Sequence, residues 1–235
     1  MASNYSPKIV TDGLVGYWDT ADKNSYPGSG ASWTDLSGNG HTGTLTDAAY
    51  NATNGGSMYF DGTADCKVTV ASTTALKVFS GLTVECWCNR LGAGNAAQEH
   101  IITKGLNDSD CGWGLVSERS PTTTFQFWNY KNGCGGSRIS ALSGVTPTTG
   151  QWYHVVGTHD EAAQLMVIYV DAINKAQTSN SEGIAENDTT LEFGDESNRD
   201  YNFNGYISPI RIYNRALSAK EVSQNFNAQR SRFGV

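Results

Sequence analysis

Leu82-Thr-Val-Glu-Cys-Trp-Cys88 decides the fold. Leu82, Val84, Cys86 and Cys88 fall on one side of an extended chain, and Thr83, Glu85 and Trp87 on the other. A period of two marks a strand, because successive Cβ atoms of a pleated chain point to opposite faces. Similar runs recur outward from it, at residues 14–19, 57–60 and 66–70 before it and 100–104, 112–117, 124–130, 152–159, 164–170, 190–194 and 205–213 after it. Between them sit turn signals such as Asp61-Gly62. Residues 20–42 read as one long turn-rich connection, with Tyr26-Pro-Gly-Ser-Gly30 and Ser37-Gly-Asn-Gly-His41, because Gly and Asn tolerate the positive φ that reversals need. Turn-separated strands with almost no helix predict an all-β antiparallel two-sheet sandwich rather than βαβ units.

Three local features refine this. Residues 164–178 predict a hairpin turning at Asp171-Ala-Ile-Asn174. In Ile207-Ser-Pro-Ile-Arg-Ile-Tyr213, the three isoleucines share a face only if Ser208-Pro209 adds one residue. That predicts a β-bulge, which also tolerates the proline. Ser218 with Glu221 three residues on forms a capping box, and Leu217 with Val222 a hydrophobic staple. They predict one short C-terminal helix that docks Val222 and Phe226 on the sandwich. The expected organisation is an N-terminal arm over 1–13, one domain over 14–228 and a short basic tail over 229–235.

The chain has 235 residues, 26 glycines, 17% charged residues and a net charge of -7. It is long enough to bury a core without staples. With no Lys/Arg cluster, the acidity argues against nucleic acid as a partner. No run approaches the ~18 apolar residues of a membrane helix, so no membrane partner is expected. The opening residues show no secretory signal pattern. Cys66, Cys86, Cys88, Cys111 and Cys134 are odd in number and match no zinc spacing, so buried free thiols are expected.

Four segments carry a family resemblance. Trp33-Thr-Asp-Leu-Ser-Gly-Asn-Gly-His-Thr-Gly-Thr-Leu45 resembles the Asp-x-Ser-Gly-Asn-Gly loop of laminin-G-like, concanavalin-A-like domains. Met58-Tyr-Phe-Asp-Gly-Thr-Ala-Asp65 is similar to their Phe-Asp-Gly-x-x-Asp turn, and Gly150-Gln-Trp-Tyr-His-Val-Val156 to their Trp-x-His-Val strand. The stretch from Gly205 to Ser218 resembles their closing strand and helix start. The resemblance implies a jelly-roll sandwich of the lectin/glucanase type. Segments at both ends, Ile9-Val-Thr-Asp-Gly-Leu-Val15 and Arg232-Phe-Gly-Val235 among them, further resemble versions found in tailed-bacteriophage virion proteins.

Calcium is the cofactor that the resemblance implies, with Asp65, Asp195 and Glu196 as ligands; relatives' acidic pair in the closing strand is replaced here by Ser208-Pro209. Aromatic rings beside planar polar groups suit a sugar. The candidates are Trp128, Tyr130, Tyr201 and Asn202, with Trp113 as a further ring and Asn129, Asn132 and Asn198 nearby. Trp128 and Tyr130 share the strand face opposite Phe125, so one set is expected to be less buried. Asp35, Ser37 and Asn39 are read as a structural turn. Catalysis is not expected. A glycosidase needs two carboxylates facing each other across a cleft, whereas Glu85 stands alone on its strand, Glu192 reads as an exposed strand residue and the four histidines do not cluster.

The leading expectation is a non-enzymatic bacteriophage virion protein, a capsid decoration or a tail or fibre component made in the host cytoplasm. It would be multimeric in its assembly, dock to other virion proteins through the arm and tail, and bind surface glycans. A stand-alone carbohydrate-binding or adhesion module is the second reading and a glycoside hydrolase the third.

Overall fold

The computed structural model describes residues 7–63, 65–77, 80–93, 98–105, 112–118, 123–130, 138–184, 187–196 and 201–235. In chain order the strands are β1 (Leu14–Trp18), β2 (Ser32–Trp33), β3 (Gly43–Thr46), β4 (Ala49–Asn51), β5 (Ser57–Asp61), β6 (Lys67–Val70), β7 (Gly81–Arg90) and β8 (Gln98–Lys104). There follow β9 (Trp113–Glu118), β10 (Thr124–Tyr130), β11 (Arg138–Leu142), β12 (Trp152–Asp160), β13 (Leu165–Val170), β14 (Ile173–Ser179), β15 (Leu191–Phe193) and β16 (Asn204–Tyr213), then the helix α1 (Ala219–Phe233). They form two antiparallel sheets, as the alternation predicts. The first runs β14-β13-β12-β7-β16-β5-β4, with β1 also on β16; the second runs β11-β10-β9-β8-β15-β6-β3-β2.

The alternating residues meet between the sheets. Val84, Cys86 and Cys88 of β7 join Ile207, Ile210 and Ile212 of β16, Leu115 of β9 and Phe125 and Phe127 of β10 in one core. Cys66, Cys86 and Cys88 are free and buried; Cys111 and Cys134 lie outside the described residues. Phe127 comes so close to β12 that a Cβ on Gly157 would sit 2.2 Å from its ring. Trp113 is also in this core, 1% exposed, and is no sugar platform.

The bulge in β16 is present: Ile207 pairs with Cys88 and Ile210 with Cys86, so one extra residue enters at Ser208-Pro209 and keeps three isoleucines inward. The hairpin between β13 and β14 turns on Asp171-Ala172, whose φ values of 52° and 61° fit the twist of tight hairpins. Four strands escape the sequence reading, namely β2, β3, β4 and β11. They are short or rich in Gly, Ser and Thr, and so lack apolar alternation.

The capping box forms, Ser218 Oγ accepting from Glu221 N while Glu221 Oε2 accepts from Ser218 N. The helix is longer than expected. It runs to Phe233 and ends on Gly234 in the left-handed conformation, φ 72°. Residues 229–233 are therefore its last turns rather than a separate tail. Arg232 Nη1 donates to Asp19 Oδ1 at 2.7 Å and Nε to Asn54 O at 2.6 Å. Phe233 stacks on Trp87 with centroids 4.3 Å apart and packs against Trp152. The arm is also docked, Val10 N donating to Asn225 Oδ1 at 2.8 Å and Gln224 Nε2 to Lys8 O at 2.7 Å.

Between α1 and the outer face of the first sheet lies a charged cluster. Glu85 is 1% exposed. It pairs closely with Arg211 Nη1, lies 3.1 Å from His154 Nε2, and accepts from Asn225 Nδ2 at 2.7 Å. Burial alone would raise its pKa, but Arg211 and His154 outweigh that and hold it down to about 2.

Candidate functional site

The outer face of the second sheet gathers most of the predicted sugar-binding residues, around a histidine that the sequence did not single out. β8 carries a register shift between His100 and Ile102. Ile101 and Ile102 both enter the core, while the fully buried His100 pairs with Val116, whose side chain packs with Trp128 and Tyr130 outside that core. His100 N donates to Tyr201 O at 2.8 Å, fastening the segment before β16 across β8. Its ring lies 4.9 Å from that of Tyr201 and 6.1 Å from that of Trp128. Trp128 meets Tyr130 edge-on at 5.4 Å. Glu196 Oε2 is 2.9 Å from His100 Nδ1. Gln98 Oε1 lies 3.4 Å from His100 Nε2 and accepts from Arg138 Nη1 at 3.1 Å. The Arg138 guanidinium sits 5.7 Å from the Trp128 ring centre.

Burial sorts these residues. Trp128 is fully buried and Tyr130 is 6% exposed, against the expectation that their face would be the less covered one. The far side of a strand is solvated only if nothing lies over it, and alternation does not report that. Asn202 is fully buried. Tyr201, Arg138 and Gln98 are half-buried and form the accessible rim. Asn129 turns inward, donating to Gly183 O at 2.9 Å and accepting from Asn180 Nδ2 at 2.7 Å. Asn132 and Asn198 lie outside the described residues.

The expected calcium ligands do not form one donor set. Glu196 is engaged by His100. Asp195 Oδ1 accepts from Glu196 N at 2.7 Å. Asp65 has a 76% exposed side chain, 3.6 Å from Lys67 Nζ. Among the described residues, no three His, Cys, Asp or Glu side chains are grouped as a metal site requires. Asp35, Ser37 and Asn39 do hold a loop. Asp35 accepts from Tyr17 N at 2.9 Å, Ser37 N at 2.8 Å, Ser37 Oγ at 2.7 Å and His41 N at 3.1 Å. Ser37 Oγ and Asn39 Nδ2 donate to Val15 O at 3.0 and 3.1 Å.

The buried carboxylates have identifiable partners. Glu99 receives Arg90 through two bonds of 2.6 and 2.9 Å. Glu192, expected on the surface, is 5% exposed and accepts from Thr190 Oγ1 at 3.2 Å. Its strand lies between β8 and β6 rather than at an edge. Lys104 Nζ lies 2.7–3.1 Å from Ser72 Oγ, Asn187 O, Asn187 Oδ1 and Thr189 O, and burial brings its pKa down to about 8. His100, Gln98 and Arg138 were missed because their proximity depends on a bulge and on the register of β10 with β11, neither of which leaves a local signal.

A laminin G-type family model described as the concanavalin A-like lectin/glucanases superfamily matches residues 61–223. No curated protein sequence matches the chain. Among solved structures, the binding domain of Paraclostridial Mosquitocidal Protein 1 superposes with a TM-score of 0.72 at 18% identity, over 93% of this chain and 52% of that one. Domain 4 of AbnA, a GH43 extracellular arabinanase from Geobacillus stearothermophilus solved with arabinotriose, gives 0.70 at 18%, over 90% and 97%. The botulinum neurotoxin serotype D ligand binding domain, solved with N-acetylneuraminic acid, gives 0.72 at 17%, over 94% and 52%. The chain thus spans about half the length of the two toxin domains. At these identities the likeness is one of fold.

Proposed function

Because the chain belongs to the concanavalin A-like lectin/glucanases superfamily, we propose that it is a non-catalytic, lectin-like module that binds a glycan on the outer face of its second sheet. The observation that carries this is the rim of Tyr201 and Arg138 set on the buried His100–Trp128–Tyr130 cluster. A sugar needs one flat apolar surface and a few fixed polar groups. Tyr201 supplies the ring, Arg138 the donors, and the packing beneath them holds both in place. The arabinotriose and N-acetylneuraminic acid in the two structural neighbours agree with this use of the fold. The charge pairing favours binding over hydrolysis. A general acid must hold its proton near neutral pH, whereas Glu85, Glu99 and Glu196 each face a basic side chain.

The test is a glycan array with the purified chain, followed by titration of Tyr201→Ala and Arg138→Ala. Saturable binding that both variants weaken at least tenfold, with unchanged circular dichroism, is the expected result. Binding indifferent to both substitutions would place the site elsewhere.

We further propose that the module works on a virion, as a capsid decoration or a tail or fibre component. Repetition there would turn weak single sites into avid attachment. The support is the likeness of its end segments to phage-encoded versions. The arm and α1 are docked on their own sandwich, so contacts with other virion proteins would use their outward sides. Copurification with assembled particles is expected, and its failure under native conditions would leave the stand-alone adhesion module.

A further inference from the structure

The edge strands of the two sheets, β11 and β14, are tied by Thr178 Oγ1 donating to Ser140 O at 2.9 Å. Beside this tie lies a cleft of about 510 Å³, bounded by Ile139, Ala163, Gln164, Ser179, Ser181 and Glu182. Asn180 fixes its floor. That residue is 1% exposed. Its Nδ2 donates to Asn129 Oδ1 at 2.7 Å, its Oδ1 accepts from Glu182 N at 3.0 Å, and its backbone N donates to Gln164 O at 2.8 Å. In an extended chain, the neighbours of an inward side chain point the other way. Ser179 and Ser181 are both turned out in this manner, and both line the cleft. Gln164 is held with φ 53°, a conformation that non-glycine residues rarely adopt. The side chains of Gln164, Ser179 and Ser181 make no hydrogen bond among the described residues.

We propose that this cleft is a second binding site, for a neutral saccharide. Its volume falls within the range of small-molecule sites, about 300–1,000 Å³. Two hydroxyls, an amide and a carboxylate on a fixed floor suit the neighbouring hydroxyls of a sugar ring, and Ile139 and Ala163 face its C–H surface. Such preorganisation lowers the ordering cost of binding. The charge selects against acidic sugars. Glu182 lines the cleft, and Glu161 Oε1 lies 2.9 Å from where a Cβ on Gly183 would be; two carboxylates repel a third. The site is distinct from the rim of Tyr201 and Arg138 and stands without it.

The experiment is NMR titration of the full ¹⁵N-labelled chain with maltotriose, methyl β-galactoside and methyl α-mannoside. At least one should shift the amides of Gln164, Ser181 and Glu182 saturably. Ser181→Trp, which fills the cleft from an exposed position, should weaken that binding at least tenfold, while Tyr201→Ala leaves it unchanged. Ser179→Leu serves as a second variant should the first not fold. No shift at these amides with any of the three probes, or shifts that survive the filling substitution, would overturn the proposal. Equal shifts with sialyllactose would overturn the neutral class. Glycan binding that Tyr201→Ala abolishes, with a silent cleft, would sink this inference and leave the outer-face reading intact.

Discussion

Replacing Glu85 by Gln should unlatch α1, and the cost can be worked from two directions. The carboxylate is 1% exposed and faces Arg211, itself fully buried, together with His154 and Asn225. Removing one partner of such a pair strands the other, at about 3–5 kcal/mol. The second route is proton linkage. Glu85 titrates in the fold at about 2 rather than its ordinary 4.5, and at about 1.4 kcal/mol per pH unit the difference is worth about 3 kcal/mol. Its pKa is lower in the folded state, so the contribution is fully present above pH 4.5 and is lost as pH falls toward 2. Urea denaturation at pH 7 should show Glu85→Gln destabilised by about 3 kcal/mol. Between pH 5 and 2.5 the gap to the parent chain should shrink. Pairing Glu85→Leu with Arg211→Met should restore most of the loss, because two apolar side chains leave no charge stranded. A cost below about 1 kcal/mol, or parallel pH profiles for parent and variant, would refute the account of an uncompensated buried charge.

Other perturbations probe separate parts of the molecule. Asp35→Ala removes the acceptor of four hydrogen bonds and should cost about 3 kcal/mol by denaturant titration. Gly157→Ala drives a methyl group into the Phe127 ring and should cost about 3 kcal/mol through overpacking. Truncation after Ala228 deletes the Arg232–Asp19 contact and the Phe233–Trp87 stack. It should cost about 4 kcal/mol and shift tryptophan emission to the red as Trp87 meets water. Chelation with EDTA should leave both the thermal midpoint and glycan binding unchanged. A drop in either would mean that Asp65, Asp195 and Glu196 meet a cation after all.

The chain's local chemistry was enough to specify strands and their faces. Leu82 to Cys88 writes its two sides into a period of two. Ser218 and Glu221 start the helix, and the isoleucines around Ser208-Pro209 demand the bulge. Even the helix end was available, in the spacing of Val222, Phe226 and Phe233 and in Gly234. These features act over a few residues, so a one-dimensional string records them. What covers each face is a different matter. Glu85 looked solitary because its partners Arg211 and Asn225 stand 126 and 140 positions away. Trp128 looked accessible because nothing in its own strand shows that its outer side is covered. His100 meets Glu196 and Tyr201 only through a register shift and a loop crossing from the other end of the chain. Such pairings follow from strand order and register, which are set by the packing of the whole core. The tertiary structure alone therefore decided which polar groups became neighbours.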